Sequence, residues 1–368
     1  MIVGLDGRVI FGPFTGDRTF LLGLLEGLVR QEEVEKIVIF ATGSAGKEPL
    51  IHPKVVWKHL PPVPGWAFTF FYLPRLAQSS RLSVLQVQYI SPPLCPIPIV
   101  TTIHDASWKR FPEAFPAKDR FFLNTVLPVT AQRAQKVTTD SYASLEDIVQ
   151  FLKVPRTKIR VIPLAPREMF LKVADYHQRQ AVARRYRLPP QFFLFVGVLQ
   201  PRKNLDRVLK ALSLLRIKNK DIPPFIIAGK IGWKCEGLLK LIEADRDVSF
   251  IGYVADGDLP ALYQLALFFL YPSLWEGFGL PVLEAMASGV PVITSNRSGL
   301  KEIGEGAAVL INPESSEEIA EAVDRLARDE GLRQELAEKG RQRAGGYSWN
   351  RTAQVAVAIY KEVMMSTG

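Results

Sequence analysis

Two carboxylates, Glu276 and Glu284, stand with seven residues between them in "SLWEGFGLPVLEAMASGVPVI", a stretch otherwise apolar, small or glycine. Burying an ionised carboxylate without a partner is costly, so the pair asks for a ligand or a counter-charge. Carboxylates accept hydrogen bonds from the hydroxyls of a sugar or a ribose. Two of them a loop apart could grip two polyol groups flanking a phosphate. Gly277 and Gly279 permit close backbone approach, leaving amides and a positive helix end free for an anion. The competing reading has Glu284 complementing a helix dipole and Glu276 solvated.

Three further groups could join such chemistry. Arg202 and Lys203 follow the apolar run "FLFVGV", and a fork-shaped guanidinium beside an ammonium suits phosphate oxygens. Their bland alternative is an exposed basic turn before a helix capped by Asn204. His104 closes "PIVTTI" and precedes Asp105; a lone histidine at a strand end is otherwise structural. The pair Asp256-x-Asp258 in "ADGDLPALYQ" resembles a metal-binding D-x-D, but Pro260 places it at a helix start, where capping explains it. No other cluster of hard oxygen ligands occurs, so no metal is expected, with Arg202, Lys203 and helix ends neutralising the charge.

The elements that would position these groups alternate between short apolar runs and helical patterns, which points to parallel βαβ units. "IVGLD", "KIVIFAT", "KVVWKHL", "VLQVQ", "PIVTTIHD", "KVTTDS" and "KIRVIPLA" form one series. "FFLFVGVL", "PFIIAGK", "VSFIGYV", "LFFLYPS", "VPVITS" and "AAVLINP" form a second after Pro163–Pro166. The expected fold is α/β, two Rossmann-like domains facing across a cleft, with ligands beyond the carboxyl ends of the strands. The expected bounds are 1–164, 165–347, and a C-terminal helical segment, 348–368, returning to the first domain. In "LPVLEAMASG", Pro281 fits the first helical turn and Gly289 the C-terminal cap.

The chain of 368 residues is 48% apolar and 23% charged, the balance of a soluble globular protein. Its longest apolar run, from Leu259 to Trp275, is broken by Pro260 and Pro272 and is too short to span a bilayer. The N-terminus lacks the basic region and cleavage site of a signal peptide. Cys95 and Cys235 form no redox or metal motif, and a cytoplasmic location follows as the expectation. The net charge of +9 lies mainly in residues 1–172, and no acidic residue occurs from Pro49 to His104. Lys54, Lys58, Arg75 and Arg81 accompany "PPVPGWAFTFFYLP" there. Basic residues among aromatics suit an anionic membrane surface, which would make the protein peripheral at the inner face of the membrane, or an anionic acceptor. The alternative is a solvated basic face over a packed aromatic loop. No nucleic-acid motif accompanies the charge.

"EGFGLPVLEA" resembles the E-x7-E signature of retaining, nucleotide-sugar-dependent GT-B glycosyltransferases of family 4. "GVLQPRKNLDRVLKAL", "FIIAGKIGW", "VSFIGYVADGDLPALYQ" and "GVPVITSNRSGLKEI" resemble consecutive segments of that family's donor domain. "TTIHDASWKRFPEAFP" and "TTDSYASLEDI" resemble its acceptor domain, particularly in bacterial mannosyltransferase-like members. The resemblance implies that Glu276 binds hydroxyls of the donor sugar and Glu284 the ribose. Phe278, Gly279 and Leu280 would present amides to sugar and phosphate, beside Gly277. Arg202 and Lys203 would neutralise the diphosphate, with Gly197 in the same loop. Tyr253 and Val254 would meet the nucleobase, His104 the reacting face of the sugar, and Gly16 the phosphates. "GPFTGDRTF" departs from the family's usual glycine loop, and "IPLAPREMF" lacks the usual Asn-Gly of the hinge.

The function implied is retaining transfer of a hexose, mannose by preference, to a hydroxyl of a saccharide or lipid-linked saccharide in cell-surface polysaccharide synthesis. A GDP-sugar is the favoured donor, a UDP-sugar the alternative, and no cofactor is expected. A sugar-nucleotide epimerase and a non-catalytic nucleotide-binding protein are the alternatives of other classes.

Overall fold

The structure is a computed structural model that describes residues 1–12, 15–42, 46–92, 94–218 and 221–366. The chain forms two compact units, Met1–Ala165 with Tyr347–Gly368, and Pro166–Gly346.

The first unit is built on β1 (Ile2–Asp6), β2 (Lys36–Thr42), β3 (Val55–Leu60), β4 (Val84–Gln88), β5 (Ile99–Thr102), β6 (Lys136–Thr139) and β7 (Ile159–Val161). These pair in parallel in the order β3-β2-β1-β4-β5-β6-β7. Strands such as "KIVIFAT" are apolar almost throughout because helices cover both faces of a parallel sheet. The order reverses between β1 and β4, so the chain leaves their carboxyl ends in opposite directions and opens a crevice there. The helix Trp349–Met365 completes this unit. Gly23 and Gly27 of the helix Gly16–Leu28 make room for it; a Cβ on Gly23 would stand 2.1 Å from the Trp349 ring. Its Tyr360 hydroxyl reaches Gln86 Oε1 at 3.1 Å, and Thr352 Oγ1 donates to the Pro163 carbonyl at 2.7 Å.

The second unit contains β8 (Phe193–Val196), β9 (Phe225–Ala228), β10 (Val248–Gly252), β11 (Phe268–Tyr271), β12 (Val292–Ser295) and β13 (Val309–Ile311). Their order, β10-β9-β8-β11-β12-β13, is that of a dinucleotide-binding Rossmann sheet, all parallel. Phe193 stacks on Phe225 at 4.6 Å and on Phe268 at 5.0 Å, tying the three central strands together through one buried aromatic row. The order reverses between β8 and β11. Gly197, Arg202 and Lys203 follow the first of these strands, and Glu276 and Glu284 the second.

Candidate functional site

In the second unit, the loop after β8 makes a short turn, Pro201–Lys203, and the loop after β11 carries Glu276. Because β8 and β11 are neighbours, residues 73 and 74 positions apart meet. Arg202 Nη1 donates to Glu276 Oε2 at 2.8 Å, and Lys203 Nζ to Oε1 at 2.5 Å and to the Tyr271 hydroxyl at 2.6 Å. Arg202 also bonds the Trp275 carbonyl. All three charged side chains are buried, which contradicts both the solvated Glu276 and the exposed basic turn. Burial alone would raise the Glu276 pKa; Arg202 and Lys203 outweigh it and hold it at about 2. The cluster thus carries two cations and one fixed anion. Its surplus positive charge is what an incoming diphosphate needs.

Asn204 does not cap the following helix, Leu205–Ile217, through its side chain. With φ at 65° it turns the backbone, and its amide donates to the carbonyls of Pro272 and Pro313 at 3.1 and 2.6 Å. It therefore ties the loop after β8 to the loop after β11. This tertiary role was invisible in the local pattern.

The glycine loop is equally constrained. Gly279 has φ at 110° and opens the helix Leu280–Ala287, with Pro281 in its first turn and Gly289 (φ 72°) beyond its end. The backbone conformation at Gly279 demands glycine, and a Cβ there, 2.5 Å from Leu300 Cδ2, would also make that side chain shift. The Glu276 amide donates to Ser298 Oγ at 3.1 Å, anchoring the loop from below.

Glu284 is buried in that helix and belongs to a different cluster from Glu276. Arg167 Nε approaches its Oε1 at 3.4 Å, and Arg167 Nη1 lies 3.5 Å from Asp256 Oδ1. Burial raises the Glu284 pKa; Arg167 opposes the rise and Asp256 adds to it, leaving it at about 7. Aromatic rings link the two glutamate clusters: Tyr263 meets Phe269 at a tilt, 5.2 Å between ring centres, and Phe269 stacks on Tyr271 at 5.7 Å. The Tyr263 hydroxyl is buried with no hydrogen-bond partner among the described residues.

Asp256 and Asp258 do not cap the helix Leu259–Leu265 through their side chains. Asp258 accepts from Arg185 at 2.6 Å and from the Tyr186 hydroxyl at 2.8 Å, while Asp256 faces Arg167. Among the described residues, no group of three or more His, Cys, Asp or Glu is placed to hold a metal ion.

Gly197 follows β8, and its amide already donates to the Ala228 carbonyl at 2.9 Å. Its carbonyl presses against Gly229, where a Cβ would stand 1.8 Å away. Tyr253 and Val254 follow β10; Tyr253 is exposed with Lys230 Nζ 4.8 Å from its ring centre, and Val254 is buried.

In the first unit, His104 lies two residues beyond β5 and is buried. Its Nδ1 donates to Asp140 Oδ2 at 2.7 Å, from the residue after β6, and its Nε2 to Gln88 Oε1 at 2.8 Å, from the end of β4. Asp17 Oδ1 stands 3.9 Å from Nε2. Burial would lower its pKa, but Asp140, with Asp17 and Asp105, raises it to about 9, so the ring is an imidazolium at neutral pH. The rings of Phe20 and Tyr89 meet it edge-on at 5.0 and 5.6 Å, and Tyr89 adopts φ of 59°. Asp140 Oδ1 and Gln88 Nε2 are buried without hydrogen-bond partners among the described residues. Sequence reasoning missed Asp140, Gln88 and Asp17, although each lies at or just after a strand end or at a helix start.

Gly16 is the first residue of the helix Gly16–Leu28, capped by Thr15. A Cβ there would meet nothing within 4 Å, so packing does not require glycine. Arg18 bonds the Gly12 carbonyl at 2.7 Å; Pro13 and Phe14 lie outside the described residues.

Comparison with known proteins bears on the family and the fold. Residues 179–343 match the family model described as glycosyl transferases group 1, and residues 15–165 match Glycosyltransferase Family 4. An O-antigen chain mannosyltransferase B from Escherichia coli is 34% identical over 272 residues, covering 71% of this chain and 70% of that protein. A serotype-specific mannosyltransferase, WbdA, also from Escherichia coli, is 30% identical over 67% of this chain but 31% of its own length. Among solved structures, a glycosyltransferase from Rickettsia africae superposes with a TM-score of 0.76 at 16% identity, over 99% of this chain and 98% of that one. Anabaena Alr3699/HepE, solved in complex with UDP and glucose, superposes with a TM-score of 0.75 at 18% identity, over 98% and 99%. At these identities the superpositions speak for a shared GT-B fold.

Proposed function

The chain belongs to the glycosyl transferases group 1 family, and from that premise we propose that it moves mannose from GDP-mannose to a hydroxyl of a lipid-linked saccharide, with retention at the transferred carbon. That it is a glycosyltransferase rests on the family. The donor, stereochemistry and acceptor are the proposal, drawn from the mannosyltransferase relatives and the site.

One observation carries the assignment of a diphosphate leaving group: the buried Arg202–Lys203–Glu276 cluster at the reversal between β8 and β11. A nucleoside diphosphate leaving group develops negative charge as its bond to the sugar breaks. Fixed cations stabilise that charge without reorganising. Arg202 and Lys203 are assigned the diphosphate, with the amides of Phe278, Gly279 and Leu280 beside it and Gly277 and Gly197 leaving room for it. Glu276 is held ionised and takes hydroxyls of the transferred hexose, Glu284 takes the ribose, and Tyr253 and Val254 border the base.

His104 is assigned to the transferred sugar. As an imidazolium it donates hydrogen bonds and cannot serve as a base at neutral pH. Its neighbours Asp140 Oδ1 and Gln88 Nε2 offer the acceptor and donor that a sugar hydroxyl would satisfy. In the transfer itself the bond from the sugar carbon to the diphosphate oxygen breaks, and a bond to the acceptor oxygen forms on the same face. The acceptor's proton passes to the departing diphosphate. No metal is assigned a step, and undiminished transfer in EDTA is expected.

The test is a thermal-shift series with GDP-mannose, GDP, UDP-glucose and UDP, followed by product analysis. A ligand at a hundredfold excess over its Kd stabilises by about 2.7 kcal/mol. Stabilisation by GDP-mannose but not by UDP-sugars, with an α-mannosyl product, supports the proposal. Stabilisation by UDP-sugars alone would replace the donor.

A further inference from the structure

Residues Gly65–Ala67, Phe68–Tyr72 and Leu73–Ser79 form a continuous helical run whose middle turn is a π-helix. Its inner side is core: Phe68, Leu73 and Ala77 are fully buried, with the Arg8 guanidinium 4.6 Å over the Phe68 ring. Its outer side is also apolar. Trp66 is 60% exposed, Phe71 51% and Tyr72 44%. A helix on the surface of a soluble protein ordinarily turns polar residues outward. A cluster of exposed aromatics therefore marks a contact surface.

The rings are arranged. Trp66 and Phe71 meet edge-to-face at 6.2 Å, and a groove of about 620 Å³ runs along Trp66, Phe71, Tyr72, Arg75, Leu76 and Ser79. Short π-helical insertions occur often at functional sites, and this one turns Phe68 inward and Phe71 and Tyr72 outward.

Charge decides the occupant. No acidic residue occurs between Pro49 and His104. Lys54 and Lys58, expected to contribute to a basic face, are spent internally on the Gln31 carbonyl at 2.7 Å and Ser80 Oγ at 2.8 Å. Arg75 and Arg81 remain exposed; Arg75 lies on the same helical run, folded back on the Phe71 carbonyl at 3.0 Å, and Arg81 just past its end. An apolar aromatic face rimmed by guanidiniums matches the boundary between phosphates and acyl chains.

We propose that this face seats the protein on an anionic phospholipid bilayer, with Trp66, Phe71 and Tyr72 entering the headgroup boundary and Arg75 and Arg81 meeting lipid phosphates. Among the described residues no helix is long and apolar enough to cross a membrane, so the contact is with one leaflet. The proposal rests on the lipid-linked acceptor reading for its purpose. Its test needs neither donor nor acceptor, so the two can fail separately.

The intact protein is sedimented with vesicles of phosphatidylglycerol and phosphatidylcholine, and with phosphatidylcholine alone. Binding to the anionic vesicles, weakened by salt, is expected. Each arginine near such a surface contributes about 1 kcal/mol, so R75E/R81E should lower partitioning by at least about tenfold. W66S/F71S should lower it on both vesicle types, and the tryptophan emission of the unaltered protein should shift to the blue on binding. Far-UV circular dichroism and an unchanged thermal midpoint confirm that both variants fold. No binding of the unaltered protein to anionic vesicles, or unchanged binding by W66S/F71S, overturns the proposal. So does equal binding to both vesicle types, which would remove the anionic partner.

Discussion

Lys203 Nζ and Glu276 Oε1 lie 2.5 Å apart, one after β8 and the other after β11, both buried and 73 residues distant in the chain. The carboxylate fixes the cations that a leaving diphosphate would meet. Removing it leaves two buried cations uncompensated, and breaking a buried pair in this way costs about 3–5 kcal/mol. Glu276→Ala should lower the unfolding free energy by that order in urea titration. Lys203→Met should retain more stability than Glu276→Ala while lowering kcat by about 100-fold, the scale of losing one preorganised charge contact. Near-normal transfer by either variant would remove the cluster from the donor site. Because the Glu276 pKa is held at about 2 against 4.5 in the unfolded chain, its stabilising contribution is present above pH 4.5 and is lost as the pH falls toward 2.

Glu284 should behave in the opposite sense. Its folded pKa of about 7 exceeds the 4.5 of the unfolded chain, so the folded state holds the extra proton between these values. Stability therefore falls as the pH rises from 4.5 to 7. Glu284→Gln should flatten that slope in urea titrations across the range. Arg167→Ala removes the cation that opposes the rise and should move its upper limit to higher pH. If ribose hydroxyls donate to the ionised carboxylate, GDP affinity by calorimetry should increase through pH 7 in the unaltered protein and be flat in Glu284→Gln.

His104 owes its charge to Asp140 first among its acidic neighbours. Its pKa is raised to about 9, so its contribution to stability is complete below the unfolded value of 6.5 and is lost as the pH rises through 9. Asp140→Asn should shrink the stability difference between pH 6 and pH 9.5. It should also move the alkaline limb of the kcat profile toward neutrality. A histidine of purely structural role would show the first change without the second.

Gly279→Ala tests the loop rather than the charges. A side chain at φ of 110° is strained, and its Cβ would collide with Leu300. A loss of about 1–3 kcal/mol is expected, with weaker GDP-mannose binding by thermal shift. Gly16→Ala, where a Cβ meets nothing, is the matched control and should leave stability within about 0.5 kcal/mol.

The alternation of apolar runs with amphipathic segments made the two parallel sheets legible, because a strand covered on both faces must be apolar throughout. The proline and glycine limits of the helix Leu280–Ala287 were equally readable, since each follows from the backbone at one residue. The positions of Glu276, Arg202, Lys203 and His104 just after strands needed only the strand assignments. What each side chain touches did not follow. Asn204, Asp256 and Asp258 look like helix caps in the local pattern, yet their side chains serve carbonyls, arginines and a tyrosine brought in from elsewhere. The separation of Glu276 from Glu284, each with its own arginine, and the outward turn of Trp66, Phe71 and Tyr72 were likewise settled by three-dimensional packing. Local pattern reports which residues must be covered; strand order in a sheet chooses the neighbour that covers them, and so the charge each group carries.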